Sequence, residues 1–167
     1  MHNSNIVLIG MPGCGKSTVG VLLAKRLGLG FIDTDLLIQQ ASRRTLQEIV
    51  NEQGYMALRQ LEERALMSLA PIQQVIATGG SAVYSAAGIE HLKQLGPLVY
   101  LKVDLAGLEK RVGDISKRGI ASDKQQSFED IYLERCPLYE QAADVIIDCR
   151  GLVSEEIVDK VIAALER

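Results

Sequence analysis

A glycine-rich segment near the start of the chain carries the clearest chemistry in the sequence. In GMPGCGKST (10–18), Gly10, Gly15, Lys16 and Ser17 match the pattern G-x-x-x-x-G-K-S/T. Glycines let a backbone curl with its N–H groups pointing inward, which makes a cradle for phosphate. The lysine is expected to reach the β- and γ-phosphates of a nucleoside triphosphate, and the serine hydroxyl to ligate Mg²⁺. The predicted nucleotide contacts in this segment are Gly13, Cys14, Gly15, Lys16, Ser17 and Thr18.

The elements on either side of this segment decide whether the pattern is a phosphate-binding loop or a chance match. The run NIVLIG (5–10) is nearly continuous in apolar and β-branched residues, as in a strand buried on both faces. TVGVLLAKRLGLG (18–30) has apolar residues at helical spacing, with Gly28 as its stop. A chance glycine turn before a helix is the alternative, but a strand before and a helix after favour a phosphate loop. The pattern does not by itself distinguish a hydrolase, motor, switch or kinase.

Strands and helices alternate along the rest of the chain. Apolar runs predict strands at 31–33, 74–78, 98–103 and 144–148. Helical patterns cover 45–54, 55–70, 127–142 and 154–166. Two of these helices open with a capping box, formed by Thr45 with Glu48 and by Ser127 with Asp130. The alternation predicts a parallel sheet covered by helices on both faces. The polar segment 113–126 fits neither period, and a loop of that length in a compact domain is functional or mobile.

Composition and charge exclude several functions. The chain has 167 residues, the size of one domain, and its net charge of −3 gives no electrostatic footprint for nucleic acid or an anionic membrane. No apolar run reaches the roughly 18–20 residues that a membrane span needs, and the N-terminus has no basic region, so we expect a cytoplasmic protein. The three cysteines form no metal-binding or disulfide pattern. The small size argues against a motor or switch, and the pattern N-K-x-D, with which GTPases bind guanine, is absent. We also expect the protein to be a monomer.

The chain resembles the shikimate kinase family over nearly its whole length. The segments that carry the resemblance are GMPGCGKST (10–18), FIDTD (31–35), YMALRQLE (55–62), IATGGSAV (76–83), KRVGDISKRG (110–119) and ERCPLYEQAADVIID (134–148). The resemblance implies an α/β fold, a three-layer α/β/α sandwich with a five-stranded parallel sheet, of the P-loop nucleoside-monophosphate-kinase type. It implies transfer of the γ-phosphoryl group of ATP to a shikimate hydroxyl with Mg²⁺ as cofactor, giving shikimate 3-phosphate and ADP in aromatic amino-acid biosynthesis. It implies one kinase domain (1–167) with its phosphate loop at 10–18, a substrate-binding region at about 34–62 and a mobile lid at about 113–126.

Two aspartates, Asp33 and Asp35, follow the predicted strand 31–33 and can be presented by one strand end. Asp33 is nearer the strand terminus and is predicted to join Ser17 in the Mg²⁺ site, through water. Asp35 resembles the family residue that binds the acceptor hydroxyl and takes its proton, and it forms the catalytic set with Lys16 and Arg118. The alternative for Asp35 is a helix N-cap, because Asp caps helices well and LLIQQ follows.

The resemblance also assigns the groups that bind the acceptor. Arg59 and Arg135 match the two arginines that hold the shikimate carboxylate, for which a planar guanidinium is suited. Glu62, three residues after Arg59, shares its helix face and is predicted to hold it in place. Without the family resemblance, an arginine at position 59 would be interpreted as a solvent-exposed residue of an ordinary helix. The substrate-binding set is completed by Asp35, Gly79, Gly80 and Ser81.

Two positions depart from the family pattern. Ser81 stands where the family has a third glycine, and it is strained if the backbone there needs a positive φ. Gly119 replaces the proline that usually follows the lid arginine, which is Arg118 here. By resemblance Arg118 reaches over the phosphates and Arg111 flanks the adenine, although SKRG as a bare charge run is typical of a solvated loop. Cys14 is interpreted as a small tolerated residue, with an oxidation-sensitive thiol acidified by Lys16 as the alternative.

Two other functions remain open at the level of sequence. One is a different small-molecule kinase of the same fold, such as a gluconate kinase, against which Arg59 and Arg135 favour an acceptor with a carboxylate. The other is a catalytically silent homologue that binds nucleotide or shikimate, supported only by Ser81 and Gly119.

Overall fold

A parallel β-sheet forms the centre of the molecule. The computed structural model describes residues 5–70, 72–112, 120–123 and 125–166. Within these residues the strands are β1 (Ile6–Ile9), β2 (Gly30–Asp33), β3 (Gln74–Ala77), β4 (Leu98–Lys102) and β5 (Val145–Asp148). They lie in the order β2-β3-β1-β4-β5, and every neighbouring pair is parallel. The predicted five-stranded parallel sheet is therefore confirmed.

Helices connect the strands and complete a three-layer α/β/α fold. They are α1 (Lys16–Leu27), α2 (Thr34–Ser42), α3 (Leu46–Gln53), α4 (Tyr55–Met67), α5 (Ala86–Leu95), α6 (Leu105–Val112), α7 (Phe128–Ala142) and α8 (Ser154–Leu165), with a 3₁₀ turn at Ala82–Tyr84. The sequence patterns did not predict α5 or α6, and they indicated α2 only through the N-cap alternative for Asp35. For α5 the capping-box signal is incomplete. Its N-cap is Ser85, but the residue three positions later is Gly88 and not a glutamate or aspartate.

The helix ends follow the local sequence signals. The predicted capping boxes of α3 and α7 are both formed, by Thr45 and by Ser127. Gly28 ends α1 in the left-handed conformation, with φ 67°, as expected of a stop residue. The predicted start of α1 at residue 18 is wrong, because the helix begins at Lys16 directly after Gly15, whose φ is 100°. The lysine of the glycine-rich motif thus belongs to the first helical turn.

Two apolar clusters of unequal size form the interior. The larger one contains β1, β3 and β4, whose residues are almost all buried, packed against helices that include α1, α7 and α8. The smaller one joins α2, α3 and α4 to a single residue beyond them. Its members are Ile38, Ile49, Val50, Leu58 and Ala121. In the described part of the chain, no helix is both long enough and apolar enough to cross a membrane.

Candidate active site

Three loops that follow parallel strands meet at one edge of the sheet. The loops after β1, β2 and β3 open on the same side because parallel strands point in the same direction. A cavity of about 500 Å³ lies there. The predicted site residues in its lining are Gly13, Gly15, Lys16, Ser17, Thr18, Asp35, Gly80, Ser81, Arg111 and Arg135. The structure therefore brings together residues from segments that are far apart in the sequence.

The phosphate loop is folded around its own lysine. Gly13 and Gly15 have φ values of 81° and 100°, which only glycine adopts easily. Lys16 is buried, and its Nζ donates hydrogen bonds to the Gly10 carbonyl at 2.7 Å and the Met11 carbonyl at 3.0 Å. The Cys14 sulfur lies 3.6 Å from the same Nζ, and the thiol is fully buried. The Lys16 side chain thus closes the loop back onto its own backbone carbonyls.

Asp33 links the phosphate loop to the start of α2. The Ser17 hydroxyl donates to Asp33 Oδ2 at 2.6 Å. The other oxygen, Oδ1, accepts hydrogen bonds from the N–H groups of Asp35 at 2.9 Å and Leu36 at 3.4 Å. The N-cap of α2 is therefore Asp33, and the alternative that Asp35 serves as a cap is wrong. This leaves the Asp35 carboxyl free for the cavity.

Two buried carboxyl groups flank Gly79. A Cβ atom at this glycine would overlap Glu62 Oε1 and lie 2.9 Å from Asp35 Oδ1, so the lack of a side chain makes room for both. Burial, together with the charge of Asp33, raises the pKa of Asp35 to about 6, although Lys16 opposes the shift. Burial and the Asp35 carboxylate raise the pKa of Glu62 to about 8. Among the described residues, Asp35 Oδ1 and Glu62 Oε2 have no hydrogen-bond partner.

The two predicted acceptor arginines converge on one backbone carbonyl. Arg59 Nε donates to the Ala121 carbonyl at 3.3 Å, and Arg135 Nη2 donates to the same oxygen at 3.0 Å. Both guanidinium groups also contact the ring of Tyr84, with Cζ to centroid distances of 3.8 Å for Arg59 and 5.2 Å for Arg135. Arg135 lines the main cavity and is only 1% exposed, whereas Arg59 lines two neighbouring clefts.

The predicted contact between Glu62 and Arg59 is wrong for this structure. Across the described residues these two side chains form neither an ion pair nor a hydrogen bond, although three-residue spacing places them on one helix face. Glu62 is turned toward Gly79 instead, and Arg59 is held by Tyr84 and the Ala121 carbonyl. Burial beside Asp35 favours the neutral form of the Glu62 carboxyl, and a neutral carboxyl is attracted only weakly to a cation.

The segment Gly79–Ser81 is shaped by close packing. Ser81 has φ −93°, so the expected alternative of a strained serine is wrong. Its hydroxyl is buried and is without a hydrogen-bond partner in the described residues. At Gly80 a Cβ atom would come within 2.7 Å of Pro12 Cδ, and the Gly80 carbonyl accepts a hydrogen bond from the Tyr139 hydroxyl. Both glycines are required by contact with neighbours, and neither has a positive φ.

Of the remaining predicted residues, Arg111 lines the cavity and the others lie outside the described residues. Arg111 Nη1 lies 3.4 Å from the Cys14 carbonyl, to which it donates a hydrogen bond. Arg118 and Gly119 fall in 113–119, outside the described residues, as does position 124 of the predicted lid. The sequence did not predict Tyr84 or the Ala121 carbonyl as parts of the site. No pattern marks a tyrosine in a 3₁₀ turn, and a main-chain contact has no side-chain signature.

Comparison with known proteins agrees with this geometry. The family model for shikimate kinase matches residues 12–166. The chain belongs to the shikimate kinase family. Its relatives in that family include the shikimate kinase of Thermodesulfovibrio yellowstonii, which is 36% identical over 98% of this chain and 95% of its own length. The shikimate kinase 2 of Photorhabdus laumondii is 37% identical over 87% of each chain.

Solved structures of shikimate kinases share the fold. The shikimate kinase from Acinetobacter baumannii in complex with shikimate has a TM-score of 0.90 and 31% identity, covering 98% of this chain and 93% of its own. The shikimate kinase from Aquifex aeolicus has a TM-score of 0.84 and 28% identity, covering 97% and 96%. The predicted family and the P-loop kinase fold are therefore confirmed.

Proposed function

We propose that this protein transfers the γ-phosphoryl group of ATP to a hydroxyl of shikimate, giving shikimate 3-phosphate and ADP for aromatic amino-acid biosynthesis. The observation that carries the proposal is the convergence of Arg59 and Arg135 on one oxygen, the carbonyl of Ala121, a residue that lines the same cavity as the phosphate loop. Two guanidinium groups directed at one acceptor suit a carboxylate, which offers two oxygens and a negative charge. The names of the relatives and of the structural neighbour bound to shikimate support this acceptor.

At the nucleotide end, the loop amides and Lys16 bind the β- and γ-phosphates. Lys16 exchanges its hydrogen bonds with the Gly10 and Met11 carbonyls for phosphate oxygens. Arg111, which lies beside the Cys14 carbonyl, flanks the adenine. Positioning and electrostatic stabilisation dominate phosphoryl transfer, because its transition state is loose and spreads charge over the phosphoryl oxygens.

Ser17 and Asp33 fit a magnesium site. Their side-chain oxygens lie 2.6 Å apart at the base of the phosphate loop, and hydroxyl and carboxylate oxygens are the ligands that this hard cation takes. Mg²⁺ in nucleotide sites takes one or two protein ligands and completes its shell with phosphate oxygens and water. When bound there, Mg²⁺ would neutralise charge on the phosphate oxygens. Ser17 and Asp33 orient that end of the nucleotide.

At the acceptor end, Asp35 orients the hydroxyl that attacks. The new bond joins that oxygen to the γ-phosphorus, the bond to the β–γ bridging oxygen breaks, and ADP leaves. The hydroxyl proton passes to the Asp35 carboxylate, whose Oδ1 is buried and without a partner in the described residues. The N–H groups of Gly80 and Ser81 bind the ring hydroxyls of the acceptor, while the Gly79 N–H donates to the Thr34 hydroxyl at 3.1 Å and Gly79 contributes space beside Asp35. The two arginines hold the acceptor's carboxylate.

Several features of the proposal rest on the sequence. Arg118, which lies outside the described residues, is assigned to the transferring phosphoryl group, and 113–126 to a lid. The chain acts as one kinase domain over 1–167, with 34–62 as the substrate-binding region. It works as a monomer in the cytoplasm, without a nucleic-acid or membrane partner.

A coupled assay of ADP release tests the proposal directly. The purified protein is given Mg-ATP with shikimate, quinate, gluconate or no acceptor, and the product is identified by phosphorus NMR. We expect turnover with shikimate, loss of turnover with EDTA and recovery with added Mg²⁺. Preference for gluconate would identify a different kinase of this fold. Absence of turnover with every acceptor, together with nucleotide binding, would identify a silent homologue.

A further inference from the structure

We propose that Tyr84 is a positioning residue for the acceptor: the face of its ring holds the guanidinium groups of Arg59 and Arg135, which leaves N–H groups at their edges for the carboxylate of the acceptor. This inference rests on the proposed function, because it assumes an acceptor that carries a carboxylate. Tyr84 acts through the two arginines and takes no part in the phosphoryl transfer itself.

The main chain ties Tyr84 to the loop that faces the cavity. Tyr84 is the last residue of the 3₁₀ turn, and its N–H donates to the Ser81 carbonyl at 3.0 Å. The next residue, Ser85, is the N-cap of α5, and its hydroxyl donates to Glu63 on α4 at 2.5 Å. The turn is therefore fixed at both ends, and the half-buried Tyr84 ring is held beside α4.

The ring of Tyr84 is shared by the two arginines. Its centroid lies 3.8 Å from Arg59 Cζ and 5.2 Å from Arg135 Cζ. Both distances are within the roughly 6 Å at which a cation is attracted to the face of an aromatic ring. The ring of Tyr55 also contacts Arg59, at 5.1 Å, but in the described part of the chain it makes no such contact with Arg135. Tyr84 is therefore the aromatic residue that links the arginine of α4 to the arginine of α7.

A neutral ring leaves more of a guanidinium group for a ligand than an acid does. A carboxylate from the protein would take two N–H groups and offset the positive charge. An aromatic ring contacts the face of the group, and the N–H groups at the edge stay available. Among the described residues neither arginine forms an ion pair, and Arg59 donates only its Nε hydrogen to a protein oxygen. The arrangement suits a ligand that brings its own negative charge.

The hydroxyl of Tyr84 lies between Arg135 and a nearby acid. It accepts a hydrogen bond from Arg135 Nε at 3.3 Å and donates one to Glu134 Oε1. Glu134 is exposed and also accepts a hydrogen bond from Gln126 Nε2 at 3.1 Å. The bond from Tyr84, ahead of the other contacts, lowers the pKa of Glu134, so this acid is ionised at neutral pH. Oε1 of this carboxylate is thus bonded to a neutral donor and not to Arg135.

Loss of the ring is expected to weaken acceptor binding. Arginines that are already held in place lose less side-chain freedom when they bind a carboxylate. A contact between a cation and a ring changes an equilibrium constant by a factor of about 2 to 30. We expect Tyr84→Leu to raise the Kd for shikimate about tenfold and to leave the Kd for ATP unchanged. Tyr84→Phe keeps the ring, and its Kd for shikimate is expected to stay within about threefold of the wild-type value.

The test is the Kd for shikimate and for ATP, measured by calorimetry, together with KM and kcat from the coupled assay. The matched control is Tyr132→Leu, which removes a half-buried tyrosine of α7 that packs against the main core and is expected to keep the wild-type Kd for shikimate. A wild-type Kd in Tyr84→Leu, or a Tyr84→Phe protein that binds as weakly as Tyr84→Leu, overturns the proposal. Equal losses of shikimate and ATP affinity also overturn it, because they indicate general damage to the fold.

A second series keeps the shape of the side chain, in case Tyr84→Leu does not fold. Phenylalanines with one, two and three fluorine atoms on the ring are incorporated at position 84, and each fluorine withdraws negative charge from the ring face that attracts the cation. We expect the Kd for shikimate to rise stepwise with the number of fluorine atoms, whereas a role in packing alone predicts a flat series, which overturns the proposal. Shikimate binding without phosphorylation overturns the proposed reaction and leaves the role of Tyr84 intact. Absence of shikimate binding by the wild type overturns both.

Discussion

The two ends of the cavity differ in how their polar groups are satisfied. In the phosphate loop, Lys16 bonds to carbonyls five and six residues before it, and Ser17 bonds to Asp33. At the acceptor end, Asp35 Oδ1, Glu62 Oε2 and Ser81 Oγ have no hydrogen-bond partner among the described residues. The polar side chains at one end bond to other groups of the protein, and the other end has polar atoms that a ligand can bond to.

This difference separates groups that are bonded within the protein from groups that can bond a ligand. A buried polar group needs a hydrogen-bond partner, so a ligand that bonds to these three atoms is favoured at the acceptor end. The acceptor end also rests on the small cluster of α2, α3 and α4, whereas the phosphate loop follows a strand of the main core. We therefore expect substitutions in the phosphate loop to change mainly kcat, and substitutions at the acceptor end to change mainly the KM for shikimate.

The largest expected effect lies at the nucleotide end. Lys16→Met removes the charge but keeps most of the side-chain volume. We expect kcat to fall by about 10²–10³, the loss seen when one donor to a developing negative charge is removed. The KM for shikimate is expected to stay within about threefold, as measured by steady-state kinetics. Near-normal turnover would show that the lysine only holds the loop through the Gly10 and Met11 carbonyls.

At the acceptor end, Arg59→Ala is expected to raise the KM for shikimate by a factor of tens or more. Losing one partner of a hydrogen-bonded charge pair costs roughly 2–5 kcal/mol. Nucleotide affinity, measured by calorimetry, is expected to be nearly unchanged. The matched control is Arg64→Ala, which removes an exposed arginine from the same helix. If the two substitutions raise the KM for shikimate equally, Arg59 has no specific role in binding the acceptor.

A smaller effect is expected for stability. Thr45→Ala removes the cap of α3, which packs in the small cluster below the acceptor end. We expect the free energy of unfolding to fall by about 1 kcal/mol, as for other N-cap losses, measured by urea denaturation. Acceptor KM is expected to change more than ATP KM because α3 supports only one end. A larger change in ATP KM would mean that the two ends are mechanically coupled.

The smallest effect is expected for Ser81→Gly. The φ of −93° means that glycine relieves no backbone strain, and loss of an unpartnered buried hydroxyl is offset by the greater flexibility of glycine. We expect the KM for shikimate to stay within about twofold of the wild-type value, or to fall. A rise of tenfold or more would show that the hydroxyl contacts the acceptor and that this contact contributes to substrate choice.

Sequence reasoning succeeded where function lies in one continuous segment. The phosphate loop, the capping boxes of Thr45 and Ser127 and the five strands follow from local patterns, because each depends on residues a few positions apart. The acceptor end depends on residues brought together by the fold, so its arginines were assigned by family resemblance. The orientation of Glu62 was missed because helix spacing gives the shared face but not the effect of burial beside Asp35.

The contact of both arginines with the Ala121 carbonyl has a consequence for how this enzyme family can vary. The oxygen that receives both hydrogen bonds belongs to the main chain, so no side-chain replacement at position 121 deletes it. A screen that changes one residue at a time will pass over this contact. The number of residues between α6 and α7 decides where the carbonyl lies, which makes insertions and deletions there the variants that reveal it.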